Sequence, residues 1–324
     1  MSAGRRAARR RLAWAATLAV VAFVLWRAAE DLSGQWSAVQ TRAGSLRPAW
    51  GLVAASTVII LATHALLIHA WRILVGAWGG PLGFGTATRI WTISNLGRYL
   101  PGKVWSIAAM GLLARQAGVP AGAASGAAVA GTLVNIAAGF AVLLLSSSRV
   151  LRALAPGAES LAVAVAAAAA VGLLALPFVL GPAMRVASRL LKRDVPVREA
   201  PRAVLWLVVL ANVAAWVGYG VAFGVLAAAL APASAGNWVG YLAVFTGSYL
   251  VGYLALFAPG GIGFREYAMV SSLTALGLAS PVDAWLLAAA SRLWLTVLEV
   301  APGVLFLARD ATLRLPPPAP DVPS

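Results

Sequence analysis

Six apolar runs, joined by connections that carry most of the charge, limit what this chain can become. They cover residues 12–26, 50–71, 121–146, 161–180, 203–230 and 284–308. A bilayer core of about 30 Å is crossed by roughly 20 apolar residues of helix, so the runs predict membrane spans. Only 11% of the residues are charged and 61% are hydrophobic. A water-exposed surface needs about a quarter charged. The expected fold is therefore all-α and polytopic, with about six full spans.

The formal charge of +15 does not point to nucleic acid, because Lys and Arg gather in the connections, as they do in cytoplasmic membrane loops. Arg5, Arg6, Arg9, Arg10 and Arg11 make 1–11 a basic, cytoplasmic N-terminus. The end of the first run, Leu25-Trp26-Arg27-Ala28-Ala29, lacks a clean small-x-small cleavage site, so the run reads as a retained span rather than a signal peptide. The connection 181–202 carries Arg185, Arg189, Lys192, Arg193, Arg198 and Arg202 against Asp194 and Glu199, and is expected inside. Region 12–308 is read as the transmembrane domain, and 309–324 as a Pro-rich, disordered cytoplasmic tail. With no cysteine, disulfides and thiol chemistry are excluded. His64 and His69 stand five apart and do not share a helical face. They read as polar residues turned toward neighbouring helices, and no metal or cofactor is expected. Gly122 and Gly126 form a small-xxx-small pattern that suits close helix packing in lipid.

Two regions depart from the pattern of spans. Stretches 84–100 and 101–117 are each too short or too polar to cross comfortably, and the apolar run 237–258 leads into Phe257-Ala258-Pro259-Gly260-Gly261-Ile262-Gly263-Phe264-Arg265-Glu266, then a short helix over 264–278. If each region is a re-entrant helical hairpin, each half reads span, span, hairpin, span. Three full spans per half then set the halves in opposite orientation, an inverted repeat of the kind transporters use. The first hairpin opens to the cytoplasm, the second to the outside, and both termini lie inside.

The breaks carry unusual residues. Pro101 suits the first turn of a helix, where its missing N–H is not needed. Lys103 then opposes the helix dipole, which local stability does not explain but a bound anion does. Arg98 and Asn95 precede that break, and Gly102 lies inside it. In the second break Pro259 ends a helix, Gly260, Gly261 and Gly263 permit an unusual backbone path, and Glu266 is suited to a first helical turn. Arg265 has no such local reason. An unpaired charge in the membrane costs roughly 3 kcal/mol or more and marks a candidate site. Arg292 and Glu299 share a face of the last run, and they are the expected partners of Glu266 and Arg265 respectively.

Asn95-Leu96-Gly97-Arg98-Tyr99-Leu100-Pro101-Gly102-Lys103-Val104-Trp105 and Pro259-Gly260-Gly261-Ile262-Gly263-Phe264-Arg265-Glu266 resemble the two signature segments of the lysylphosphatidylglycerol synthase transmembrane family, the flippase-like domain family. The resemblance runs from about residue 12 to 308. It implies a bacterial inner-membrane protein that handles lipids. In the best-known members this domain moves aminoacylated phosphatidylglycerol between leaflets, and a separate cytosolic domain makes that lipid; other relatives are tied to polyprenyl-linked sugars. The longest polar loop here leaves no room for a synthase domain. The implied role is a non-enzymatic transporter of lipids with anionic headgroups, served by a separate lipid-synthesising enzyme. The alternatives are a membrane-embedded glycosyl- or aminoacyl-lipid transferase, for which Glu266, Glu299 and Asp283 are the available carboxylates, and an accessory structural subunit.

Overall fold

A computed structural model describes residues 30, 33–34, 36–99, 104–154, 159–190, 200–231, 237–255, 258 and 261–313. The run 12–26, the tail beyond 313, and Pro101, Gly102, Lys103, Pro259 and Gly260 lie outside the described residues. The elements are helices α1 (Trp50–Gly79), α2 (Phe84–Asn95), a 3₁₀ turn (Leu96–Tyr99), α3 (Val104–Gln116), α4 (Ala121–Leu154), α5 (Glu159–Leu190), α6 (Arg202–Leu230), α7 (Trp238–Leu254), α8 (Phe264–Ala275) and α9 (Pro281–Leu313). Among the described residues there is no strand. The protein is an all-α polytopic membrane protein. Among the described residues, five helices are long and apolar enough to cross a bilayer, over Trp50–Gly79, Ala121–Ser147, Ser160–Pro182, Arg202–Leu230 and Pro281–Arg309.

The helices outrun the apolar stretches that predict them. The connection expected from 147 is helical to Leu154, and the one expected from 181 is helical to Leu190. Apolar length fixes what sits in lipid; a helix ends where a cap or breaker ends it, and 147–154 contains neither Gly nor Pro. Part of the expected loop 27–47 is also helical, over 36–44.

Local chemistry sets the starts. Asn237 accepts the Gly240 N–H at 2.9 Å and opens α7. The Ser280 hydroxyl accepts the Asp283 N–H at 3.1 Å and donates to the Asp283 carboxylate at 2.8 Å, with Pro281 in the first helical position of α9. This is a serine N-cap, with proline where its missing N–H costs nothing.

The pairs α2/α3 and α7/α8 each form a hairpin. Their closing ends are the same structure. In α3 the Val119 N–H reaches the Ala114 carbonyl at 3.0 Å and the Gly118 N–H reaches Arg115 at 3.1 Å. In α8 the Leu278 N–H reaches the Leu273 carbonyl at 2.9 Å and the Gly277 N–H reaches Thr274 at 3.0 Å. Gly118 and Gly277 have φ of 80° and 62°, the left-handed cap that glycine takes without penalty. One register offset relates all four residue pairs. Each hairpin also returns to the end where it began. Tyr241, near the start of α7, donates to the Leu278 carbonyl at 3.3 Å, and Gly79, just before α2, lies against Val119 and Pro120, just after α3.

The long helices hold the hairpins by close backbone approach. A Cβ on Gly79 would stand 2.7 Å from that of Ala123, and one on Gly111 would overlap Ser125. The small-residue start of α4 thus meets both α1 and α3, as its sequence leads one to expect. In lipid such packing, rather than expulsion of water, supplies the attraction between helices. α1 lies along α6, α2 packs on α9, and α7 packs on α4. Arg42, in the segment 36–44, binds the Asp283 carboxylate at 2.9 Å and the Leu230 carbonyl at 3.4 Å, which ties the end of α6 to the start of α9.

Candidate functional site

The two hairpin tips and the middle of α9 meet around one cavity of about 230 Å³. The first tip is the 3₁₀ turn after α2. It is seated on α9 by Gly303, where a Cβ would stand 2.8 Å from the Thr92 carbonyl. That seat brings two side chains of the turn to Glu299. Arg98 donates through Nη1 to Oε1 at 2.7 Å, and Tyr99 donates through its hydroxyl to Oε2 at 3.0 Å. The Glu299 side chain is 10% exposed and that of Arg98 is 29% exposed, so the cation is the member of the pair more open to the cavity.

The second tip is built on two glycines. Gly261, at φ 69°, lies against Gly252 near the end of α7; a Cβ there would overlap the Gly252 carbonyl oxygen. Any side chain at Gly261 is excluded by both conformation and space. This contact draws the start of α8 onto α7. Gly263 caps α8 at φ 84°, and its N–H donates to Glu266 Oε2 at 2.7 Å. Glycine has no side chain to return the bond, so this is half of a capping box. The other oxygen, Oε1, faces Arg292 at 3.4 Å.

Arg265 follows from the same geometry. Its guanidinium lies over the rings of Phe245 and Tyr249, 5.4 and 5.1 Å from their centroids. The residue is 6% exposed. Nη2 is buried with no hydrogen-bond partner, and no carboxylate pairs with Arg265 among the described residues. The rings beneath it belong to a stacked group, with Tyr219 at 16° to Phe245 and 18° to Tyr249.

Asn95, Arg98, Arg265, Arg292 and Glu299 all line the cavity. Glu266 holds Arg292, while Gly261 and Gly263 shape the second tip. The expected pairing of Arg292 with Glu266 is present. The expected pairing of Arg265 with Glu299 is not: Glu299 is taken by Arg98 and Tyr99, because the first tip rests on α9 while the Gly252–Gly261 contact holds Arg265 over the rings of α7. His64 is packed between Trp91 and Tyr219, with ring centroids at 5.6 and 6.0 Å, and His69 faces Arg72 at 3.4 Å.

Several lining residues escaped the sequence reading. Asn135 donates to Asn212 Oδ1 at 2.9 Å, Asn212 donates to the Val208 carbonyl at 2.8 Å, and Trp216 donates to the Asn135 carbonyl at 2.8 Å. Both asparagines interrupt apolar runs, and polar groups inside spans turn toward the bundle interior; that signal was present. The aromatic lining, including Tyr219, Tyr249 and Tyr253, left no signal, since aromatic residues are ordinary on any face of a membrane helix.

The family model described as "Lysylphosphatidylglycerol synthase TM region" matches residues 14–303. No curated protein matches the chain.

Proposed function

The chain belongs to the lysylphosphatidylglycerol synthase transmembrane family, and from that premise we propose that it moves a lipid with an anionic headgroup between the leaflets of a bacterial inner membrane. The single observation that carries this reading is Arg265. It is a buried guanidinium with no carboxylate paired to it among the described residues, facing a cavity inside a membrane protein. Leaving a cation so placed is costly unless an anion visits it. A phosphate fits that chemistry, with Asn95 and Asn135 beside it for neutral parts of the headgroup and aromatic faces for the rest.

The proposed motion uses two re-entrant hairpins in an inverted repeat. Three features support it: the matching caps at Gly118 and Gly277, the return of each hairpin to its own side, and the reciprocal packing of α2 on α9 and α7 on α4. The two halves then rock about the cavity to expose it to alternate sides. Both termini are cytoplasmic in this arrangement, and a separate enzyme supplies the lipid. Because the chain has no cysteine, single cysteines placed at the exposed Pro81 and Ala117 give a clean test of the first hairpin. Both label from one side; labelling from opposite sides removes the hairpin.

The function itself is tested in reconstituted vesicles carrying fluorescent phosphatidylglycerol in one leaflet. The expected result is faster equilibration between leaflets with the wild-type chain than with Arg265→Ala. Equal rates in wild-type, Arg265→Ala and protein-free vesicles would falsify it for that lipid class.

A further inference from the structure

We infer that Glu299 is a proton-binding site linked to the anion site: a headgroup that takes Arg98 displaces the Glu299 carboxylate, which then takes up a proton. The inference rests on the reading of the cavity as an anion site, and it concerns what else must bind when the headgroup does.

Glu299 lies far inside α9, about 27 Å along the axis from Pro281 at 1.5 Å per residue. Its two oxygens are held differently. Oε1 has the arginine at 2.7 Å and Oε2 has the tyrosine hydroxyl at 3.0 Å. Both members of the pair line the cavity, and Arg98 is the wetter of the two. A phosphate in the cavity therefore meets Arg98 before it meets Glu299, with Arg265 on the same lining, and it competes with the carboxylate for one guanidinium.

If the phosphate wins, Oε1 loses its cation. An isolated carboxylate at that depth is strongly disfavoured. A proton from cavity water removes the charge by forming an O–H bond at Oε1. The Tyr99 hydroxyl continues to donate to Oε2, now a carbonyl oxygen, so the neutral acid stays positioned. When the headgroup leaves, the proton leaves and Arg98 returns. Glu299 thus holds the place of the anion on Arg98 in the empty protein.

The other charged and titratable groups that face Glu299 are His64 from α1, Tyr219 from α6, Tyr249 from α7, Arg265 from α8 and Arg292 two turns back on α9. Among them His64 is the side chain whose ordinary titration lies near neutral pH. It does not itself line the cavity but packs behind the lining residues Trp91 and Tyr219, so the two groups are separable by mutation.

The test is calorimetric titration of the full chain, in phosphatidylcholine nanodiscs, with dihexanoyl-phosphatidylglycerol. The phosphodiester of this probe does not titrate near neutral pH. Two buffers of different ionisation enthalpy give the proton count. The expected result is uptake of about one proton per headgroup bound, with affinity falling by up to about tenfold per pH unit as pH rises. Glu299→Gln binds the probe without proton uptake, and His64→Gln retains the uptake. Binding without uptake in the wild type, or uptake that persists in Glu299→Gln, overturns the inference and leaves the anion site standing. No binding of the probe by the wild type overturns both. If Glu299→Gln does not fold, His64→Gln decides: uptake kept supports Glu299, uptake lost overturns it.

Discussion

The two hairpins end alike and differ at their tips. Both close with a left-handed glycine and the same pair of backbone bonds, at Gly118 and Gly277. At the register that aligns those caps, Arg265 falls opposite Ser106, and both line the cavity. The first hairpin instead presents its arginine before the break, at Arg98. That position reaches α9 and finds Glu299. The second presents its arginine after the break, where it finds only the rings of α7. One arginine is neutralised by the protein, the other is left for something else. The difference separates an arginine that already holds a carboxylate, which a ligand must displace, from one that holds none among the described residues.

The largest expected effect comes from unbalancing the first tip. Glu299→Ala leaves Arg98 without its carboxylate and Tyr99 without an acceptor. Removing one member of a buried pair costs about 3–5 kcal/mol, and the partial exposure of Arg98 to the cavity places this case near the lower end. Thermal unfolding in detergent should show a large fall in Tm. A Tm within about a degree of wild type, against the several degrees that such a loss implies, would show that the first tip is not held by this pair.

Arg265→Ala is expected to do the reverse. It removes a desolvated stacking contact of about 2 kcal/mol, offset by the removal of a buried Nη2 with no partner, so stability falls less than in Glu299→Ala. Headgroup binding loses a charge-assisted bond of about 1.5–3 kcal/mol, roughly tenfold to a hundredfold in affinity. Titration with dihexanoyl-phosphatidylglycerol measures it. A variant that unfolds like Glu299→Ala while binding normally would erase the contrast between the tips.

The fold was largely legible because apolar length is written directly in the chain. Each described span lies where an apolar run predicts it; the helix overrun at 147–154 comes from sequence that lacks a breaker, while the one at 181–190 runs through Gly181 and Pro182. The candidate site was legible in its charges. Arg98, Arg265, Arg292 and Glu299 were identified because a charge in an apolar setting stands out one residue at a time. The partner of each charge was only half legible. Glu266 and Arg292 met as expected, since one sits in a first turn and the other on the helix beside it. Glu299 went to Arg98, because the choice was made by two glycine contacts, Gly303 on the first tip and Gly252 with Gly261 on the second, that no local pattern records.

A smaller effect separates the two roles of Glu266. One oxygen caps α8 through Gly263, and the other meets Arg292 at the long distance of 3.4 Å. Glu266→Ala loses both, while Glu266→Gln keeps an oxygen for the cap. The alanine is expected to cost about 1 kcal/mol through the cap, with most of that restored in the glutamine variant. A glutamine variant as unstable as the alanine would make the ion pair, not the cap, the stabilising half, and the second tip would then resemble the first.

The smallest effect tests what the aromatic rings add to the free arginine. Arg265→Lys keeps the charge but gives up the flat guanidinium that lies over Phe245 and Tyr249 and the fork that matches two phosphate oxygens. An ammonium also carries its hydration more tightly, and a site this enclosed strips it. The expected loss in headgroup affinity is about 0.5–1 kcal/mol, twofold to fivefold, well short of the loss in Arg265→Ala. The same exchange at Arg98 acts on the pair with Glu299 as well as on the ligand, so it should appear in both Tm and binding. Should Arg265→Lys instead match Arg265→Ala, the rings and the fork carry the recognition together, and the second tip is a guanidinium site in the strict sense rather than a point charge in a cavity.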